Sequence, residues 1–219
     1  MNPMYRSCPM KVIPLKTALL VPGDDIVGVA QEALETAGLR TEPTDILVIC
    51  ESPLAITQGR IIDIDDVHPG VPARVLCRFF DFDSSLCNPY AFQVAIDLAG
   101  LSRILLALLA AMPGRVLGRH GDFYRIAGRQ VTWIDDIPGN LPPYTQDIVL
   151  GPDDPRGVAC KVAEALGCGA AVVDANDLGR VEICGASPFI DHDVLIDAMR
   201  PNPQGNADER TPLVLVRAS

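Results

Sequence analysis

The sequence predicts a mixed α+β fold, in which short apolar strands and amphipathic helices alternate irregularly along the chain. Apolar runs of strand length follow polar turn residues, as at 44–50. Two segments, 25–38 and 153–167, carry apolar residues at helical spacing and end in glycine. Apolar residues make up 48% of the 219 positions, which is enough to bury a core.

The first quarter of the chain predicts a strand, a helix and two more strands. Residues 11–20 are strand-like, and the turn Pro-Gly-Asp-Asp then leads into the helix that ends at Gly38. Residues 44–50 predict a buried strand, and we expect residues 54–64 to form its partner strand, after a short loop.

The middle of the chain is less regular. Residues 91–112 predict one or two helices interrupted near Gly100, and the apolar run 104–112 predicts a buried helix, since a bilayer span needs about 20 residues. Residues 122–128 and 130–135 predict short strands joined by a hairpin turn at Gly128 and Arg129.

The last third predicts a regular series of elements. A loop rich in Pro and Gly precedes a strand at 147–152, and the helix at 153–167 follows with Pro155 in its first turn. A strand–turn–strand unit at 168–187, a short helix at 193–199 and a strand at 211–217 complete the chain. We expect one folding unit, 1–219, with a possible division into lobes of about 1–118 and 119–219.

Composition excludes several classes of function. The formal net charge of −10 disfavours contact with nucleic-acid phosphates. The seven cysteines are odd in number and include no Cys-x-x-Cys pair, which argues against a zinc ribbon or a disulfide scaffold and favours a reducing cytoplasm. The amino-terminal residues contain no apolar signal core, and we expect no membrane partner.

The stretch VVDANDLGR, residues 172–180, places three carboxylate or amide side chains within four positions. Such oxygens are the ligands that hard cations prefer. The same residues are common in Asx-turns, in which Gly179 would relieve backbone strain. An EF-hand loop is excluded, because the fifth and twelfth positions counted from Asp174 are Leu178 and Gly185. The turn and the cation site therefore both stay open.

Several segments, in order, resemble one family. They are VIPLKTALLVPGDD at 12–25, DILVICESPLAITQGRIID at 45–63, GRHGDFYRIAG at 118–128, VLGPDDPRGV at 149–158 and the turn at 172–180. Together they are similar to the gamma-glutamyl ligases of the deazaflavin coenzyme, the coenzyme F-420:L-glutamate ligases. The resemblance covers most of the chain, although residues from about 67 to 118 match poorly.

The resemblance implies an intertwined α+β homodimer and an amide-forming activity. Members of the family join L-glutamate to the deazaflavin coenzyme precursor, using GTP and a divalent metal, typically manganese or magnesium. GTP phosphorylates a carboxylate, the glutamate amine then attacks, and the metal neutralises phosphate charge.

The resemblance also implies site residues. The metal ligands would be Asp135 or its neighbour Asp136, together with Asn176 and Asp177. The nucleotide would contact Ile13, Pro14, Leu15, Lys16, Glu51, Ser52 and Asn140.

The chain departs from the family pattern at three positions. Two family lysines fall on Ser52 and Ile56, and a family glutamate falls on Gln58. Those lysines would place charge against nucleotide phosphates. The segment before the last strand is also short. The sequence therefore supports two hypotheses: a GTP- and metal-dependent ligase, or a catalytically silent relative that binds a small ligand, nucleotide or partner protein. A third is amide synthesis on an unrelated acid.

Overall fold

The computed structural model describes residues 10–81, 84–116, 122–134, 144, 147–205 and 209–218. These residues form the predicted α+β fold. The chain divides into two compact units. The first joins Met1–Gly59 to Pro152–Ser219, and the second is Arg60–Gly151. The possible lobe boundary at residues 118 and 119 lies outside the described residues and stays a prediction.

The strands are β1 (Met10–Leu15), β2 (Ile46–Cys50), β3 (Ile61–Asp63), β4 (Asp147–Val149), β5 (Gly169–Ala175), β6 (Val181–Ala186) and β7 (Leu213–Ala218). The helices are α1 (Ile26–Thr36), α2 (Glu51–Thr57), α3 (Val71–Leu76), α4 (Pro89–Ala99), α5 (Leu101–Val116), α6 (Asp122–Ala127), α7 (Arg129–Thr132), α8 (Pro155–Leu166) and α9 (His192–Met199).

A five-stranded mixed sheet is the centre of the first unit, in the order β1-β7-β2-β5-β6. β2 and β5 are parallel, and every other neighbouring pair is antiparallel. All five residues of β2 are buried, as its unbroken apolar sequence predicts for a strand covered on both faces. Leu195 and Met199 of α9 pack on one face of the sheet, against Val48 and Val173.

The helices α1 and α8 begin and end where the sequence predicts. Asp25 caps α1 by accepting hydrogen bonds from two backbone N–H groups. Asp154 caps α8 by accepting one from Gly157 at 3.0 Å, and Gly167, at φ +65°, ends that helix.

The second unit contains the antiparallel pair of β3 and β4 and a helical core. Phe92 of α4 and Ile104 of α5 are fully buried in this core. Phe80 packs its ring 4.8 Å from that of Phe123, edge to face.

Residues 54–64 do not form the predicted partner strand of β2, nor does a loop follow β2. The chain continues from β2 directly into α2, and only 61–63 are extended, paired with β4. Pro53 is compatible with the first helical turn, where a backbone N–H has no partner within the helix. Gly59, at φ +69°, follows the end of α2.

The prediction of two strands joined by a hairpin, at 122–128 and 130–135, was also wrong. Residues Asp122–Ala127 and Arg129–Thr132 are helical, separated by Gly128 at φ +107°. Phe123, Ala127 and Val131 are buried at intervals of four residues, which is the period of a helix face rather than of a strand.

The prediction that 104–112 forms a buried helix is correct for only one side of α5. Ile104 and Ala107 are buried, whereas Leu106, Leu109 and Met112 are more than half exposed. Among the described residues, no single helix has both the length and the apolar composition to cross a membrane; only the bent pair of α4 with 101–112, at 108°, passes that test jointly.

Candidate functional site

Strand direction brings three predicted site segments to one edge of the sheet. β1 and β2 both run antiparallel to β7, so they share a direction, and β5 is parallel to β2. The carboxyl ends of these three strands therefore lie at the same edge. The segments that reach it are Ile13–Lys16, Glu51–Ser52 and Asn176–Asp177.

The register places the first two segments at the same height. Leu213 pairs with both Leu15 of β1 and Ile49 of β2. Lys16 and Cys50 are thus each one residue further towards the edge. Since neighbouring strands lie about 4.8 Å apart, β1 and β2 are separated by roughly 10 Å, with β7 between them.

On the other side of β2, two carboxylates follow paired residues. Cys50 pairs with Val173; Glu51, the first residue of α2, follows Cys50, and Asp174 of β5 follows Val173. Glu51 is only 5% exposed, and the Ser52 hydroxyl lies 2.9 Å from Glu51 Oε2, to which it donates. At the position of a family lysine, Ser52 therefore contacts an acid instead of supplying a positive charge.

Within Ile13–Lys16, only the last residue offers a charge to solvent. Leu15 is buried, Ile13 is half-buried, and Pro14 and Lys16 are exposed. The backbone beyond the strand is fixed, because Thr17 N–H donates to the Arg210 carbonyl at 3.0 Å.

The turn between β5 and β6 is an Asx-turn, one of the two alternatives that the sequence left open. Asn176 Oδ1 accepts from the backbone N–H groups of Leu178, at 3.0 Å, and Arg180, at 3.2 Å. Gly179 has φ +73° and donates its N–H to the Asn176 carbonyl. Asp177 Oδ1 accepts from the Asn202 side-chain amide at 2.6 Å.

These contacts limit which predicted ligands could hold a metal. Asn176 Oδ1 is already occupied by two N–H groups, whereas Asp177 Oδ2 makes no hydrogen bond within the described chain. Its carboxylate oxygen suits a hard cation. Asp135, Asp136 and Asn140 lie outside the described residues. In the part of the chain that is described, no three His, Cys, Asp or Glu side chains are grouped as a metal site.

Two thiols near this edge are unsuited to nucleophilic catalysis. Burial raises the pKa of both the Cys50 and the Cys184 thiols, and the charges of Asp174 and Glu51 raise these pKa values further. Both thiols therefore stay protonated at neutral pH, and the protonated form is the unreactive one.

The sequence model of the F420-0:Gamma-glutamyl ligase family matches residues 14–126, just over half of the chain. The chain belongs to this family. A protein of Methanocaldococcus jannaschii, described as uncharacterized protein MJ1361, is 30% identical over 71 residues. That similarity covers 32% of this chain and 24% of the relative, so it spans about a quarter of the relative's length.

The glutamine at the position of the family glutamate has a structural use. Gln58 Nε2 donates to the Asp153 carbonyl at 2.8 Å, and its Oε1 accepts from the Asp153 N–H at 2.7 Å. A glutamate carboxylate could make only the second of these bonds. The sequence shows the substitution but gives no signal of this pairing, because 95 residues separate the partners.

One further residue at the edge is absent from the sequence prediction. Arg210 immediately precedes the segment leading into β7, and its carbonyl bonds to the residue after Lys16. A polar loop of Pro, Gly, Asn and charged residues gives no local indication that one arginine reaches the end of β1. That placement depends on the pairing of the first strand with the last.

Proposed function

We propose that this member of the gamma-glutamyl ligase family forms an amide bond between L-glutamate and a deazaflavin coenzyme precursor, using GTP and Mn²⁺ or Mg²⁺. The observation that carries the proposal is the convergence of Ile13–Lys16, Glu51–Ser52 and Asn176–Asp177 at one edge of the sheet. Residues 35 to 164 positions apart in sequence reach one edge, where a nucleotide and its metal could be held together.

The proposed reaction has two transfers. The γ-phosphoryl group of GTP moves to a carboxylate oxygen of the precursor, and GDP leaves. The glutamate amine then attacks the acyl carbon, the C–N bond forms, inorganic phosphate departs with the oxygen it received, and the amine loses a proton. The Lys16 ammonium would stabilise phosphate oxygens during the first transfer.

The divalent metal, when bound, would neutralise phosphate charge, and Asp177 would supply a carboxylate ligand for it. Asn176 has a different role in this arrangement. By accepting from two backbone N–H groups it fixes the turn, and so positions the neighbouring Asp177 carboxylate. In this turn the metal ligand would therefore be the Asp177 carboxylate and not the Asn176 side-chain amide.

Calorimetric titration of the full chain with GTP, with and without MnCl₂, tests the proposal. We expect GTP binding to require the metal. We expect the affinity for GTP to weaken about tenfold in Lys16→Ala, because the variant loses one charge-assisted contact of about 1.4 kcal/mol. Lys11→Ala is the matched control, because Lys11 lies near the start of the same strand and is also exposed. A wild-type chain that binds no GTP under either condition contradicts the proposal.

Turnover is tested separately. Incubation with GTP, metal, glutamate and the deazaflavin precursor should release phosphate only when both glutamate and the precursor are present. Phosphate release with a different acidic acceptor would instead support amide synthesis on an unrelated substrate.

The second candidate is a catalytically silent relative that binds a small ligand, nucleotide or partner protein. The two hydrogen bonds between Gln58 and Asp153 favour this second candidate. At this position the family has a glutamate, whereas in this chain the side chain stabilises the fold. GTP binding without glutamate-dependent phosphate release would support this candidate over the ligase.

We also propose, from the family resemblance, that the chain forms a homodimer. Sedimentation of the full chain at several concentrations tests this, and a monomer at all of them would contradict it.

A further inference from the structure

Helix α5 is apolar around its whole circumference but is buried on only one side. Residues 104–112 contain no polar or charged side chain, and Arg103 is the only charged residue between 101 and 112. A helix of this composition is normally enclosed by other parts of a protein. In this chain Ile104 and Ala107 are fully buried in the core of the second unit, whereas the opposite side of the helix faces solvent.

The solvent-facing side of α5 forms one apolar surface, here named the α5 face. Because a helix turns about 100° per residue, the members of this surface lie within an arc of about 140°. Ser102 is the only polar residue within that arc, and Arg103 lies outside it, where its Nε donates to the Ile126 carbonyl at 2.6 Å. The members are between 37% and 66% exposed: Leu101, Leu105, Leu106, Leu109 and Met112.

The α5 face has the area of the apolar core of a dimer interface. Its five residues expose roughly 500 Å², and apolar patches of this size are often functional. A stable interface buries about 800 Å² of each chain, and in homodimers about 65% of that area is apolar. The α5 face therefore supplies nearly all the apolar area of such an interface, and polar residues around it would form the rim.

The distribution of charge favours a second copy of this chain as the occupant. A twofold dimer brings the same face of both chains together, so a charge at its centre would meet its own copy. The α5 face carries no charge, and two copies can therefore associate without repulsion. A lipid surface fits less well, because helices that bind one carry several Lys or Arg residues, whereas 101–112 has one arginine in a chain of net charge −10.

We propose that the α5 face is the contact between two copies of this chain, with the two α5 helices packed against each other across a twofold axis. This inference rests on the homodimer proposed above and assigns its interface. Leu109, the most exposed of the five residues, is buried in the dimer. The helix lies largely within residues 67–118, where the family motifs match poorly, so the interface belongs to this chain and not to a family motif.

Leu109→Glu tests this interface. Leu109 is 66% exposed in the single chain and glutamate is a good helix former, so the variant should fold. In the dimer the change places two like charges against apolar surface. We expect the dimer dissociation constant, measured by sedimentation of the full chain, to rise by at least about 100-fold.

Leu178→Glu is the matched control, because Leu178 is 78% exposed in the turn between β5 and β6. Its dissociation constant should stay within about twofold of the wild-type value. Leu109→Ala is a second test that adds no charge. Alanine keeps the helix but removes apolar contact area, so the dissociation constant should rise about tenfold. Far-UV circular dichroism checks that each variant retains its helices.

The outcomes separate the interface from the homodimer itself. If the wild-type chain dimerises and both Leu109 variants, when folded, dimerise within about twofold of it, the α5 assignment is wrong while the homodimer stands. An equal rise for Leu178→Glu also contradicts the assignment. If the wild-type chain is a monomer at every concentration, both proposals fail. A monomer that floats with vesicles of phosphatidylglycerol and phosphatidylcholine would show that a membrane covers the α5 face instead.

Discussion

The ion pair between Arg217 and Asp45 connects the last strand to the start of β2. Arg217 Nε lies 2.8 Å from Asp45 Oδ1, and Nη2 lies 2.6 Å from Oδ2. The Glu42 N–H also donates to Oδ2, at 2.7 Å. The Asp45 side chain is fully buried, and hydrogen bonding to it raises the pKa of the Arg217 guanidinium.

Replacing Arg217 by alanine should destabilise the first unit strongly. The change leaves a buried carboxylate that accepts from one backbone N–H, that of Glu42, among the described residues, and losing one member of a buried pair costs about 3–5 kcal/mol. The Arg217 side chain is 22% exposed, so water can reach the space it leaves, and we expect the lower end, about 3 kcal/mol. For a chain of this size that corresponds to a fall in Tm of roughly 6–12 °C.

Urea unfolding of the full chain measures this loss. Lys11→Ala is the matched control, because Lys11 lies opposite Arg217 in the β1–β7 ladder and is exposed. It should change the free energy of unfolding by less than about 0.5 kcal/mol. The double variant Arg217→Ala with Asp45→Ala should lose less than the sum of the two single variants. A loss below 1 kcal/mol for Arg217→Ala would refute the reasoning that the buried carboxylate depends on this arginine.

Three further predictions concern packing, pairing and pH. A methyl group added at Gly185 would clash with the Arg156 backbone nitrogen. Gly185→Ala should therefore cost at least about 1–3 kcal/mol in thermal unfolding, and a neutral result would show that α8 moves freely. Gln58→Glu loses the donor to the Asp153 carbonyl and should cost about 1 kcal/mol in urea unfolding, whereas unchanged stability would mean that this hydrogen bond contributes nothing. Burial raises the pKa of Cys168 from 9.0 to about 11, so the folded chain keeps a proton that the unfolded chain releases. The stability from this thiol is complete below pH 9 and declines between pH 9 and about 11, and Cys168→Ala should show a shallower decline in urea unfolding across that range; an equal slope would contradict the shift.

Local signals in the sequence were sufficient for elements whose pattern fits only one structure. The unbroken apolar run of β2 and the capped, periodic segments of α1 and α8 were confirmed. Each combines enough residues with a start or stop signal, so the strand and helix periods do not compete. Residues 54–57 and 122–132 lacked this combination of sufficient length with a start or stop signal. Their short apolar patterns are compatible with both periods, and burial against neighbouring helices decided for helix at Phe123, Ala127 and Val131.

The candidate site shows the same distinction. The motifs pointed to Lys16, Glu51 and Asp177, and the structure places their segments at one edge. The sequence left open whether Asn176 forms a turn or binds a cation. Its side chain caps the turn because the chain reverses there to pair β5 with β6, which brings two N–H groups to its oxygen.

The sequence by itself determined the α+β class, the family and the segments that carry its motifs, because these depend on residues close together in the chain. Only the tertiary structure decided the order of the sheet, with β7 inserted between β1 and β2. That pairing joins residues about 200 positions apart, as between Leu15 and Leu213. It also brings the Arg210 carbonyl to the N–H group of Thr17, which follows β1. Local periodicity carries no information about such a partner, because strand pairing is chosen by the packing of whole faces against the core.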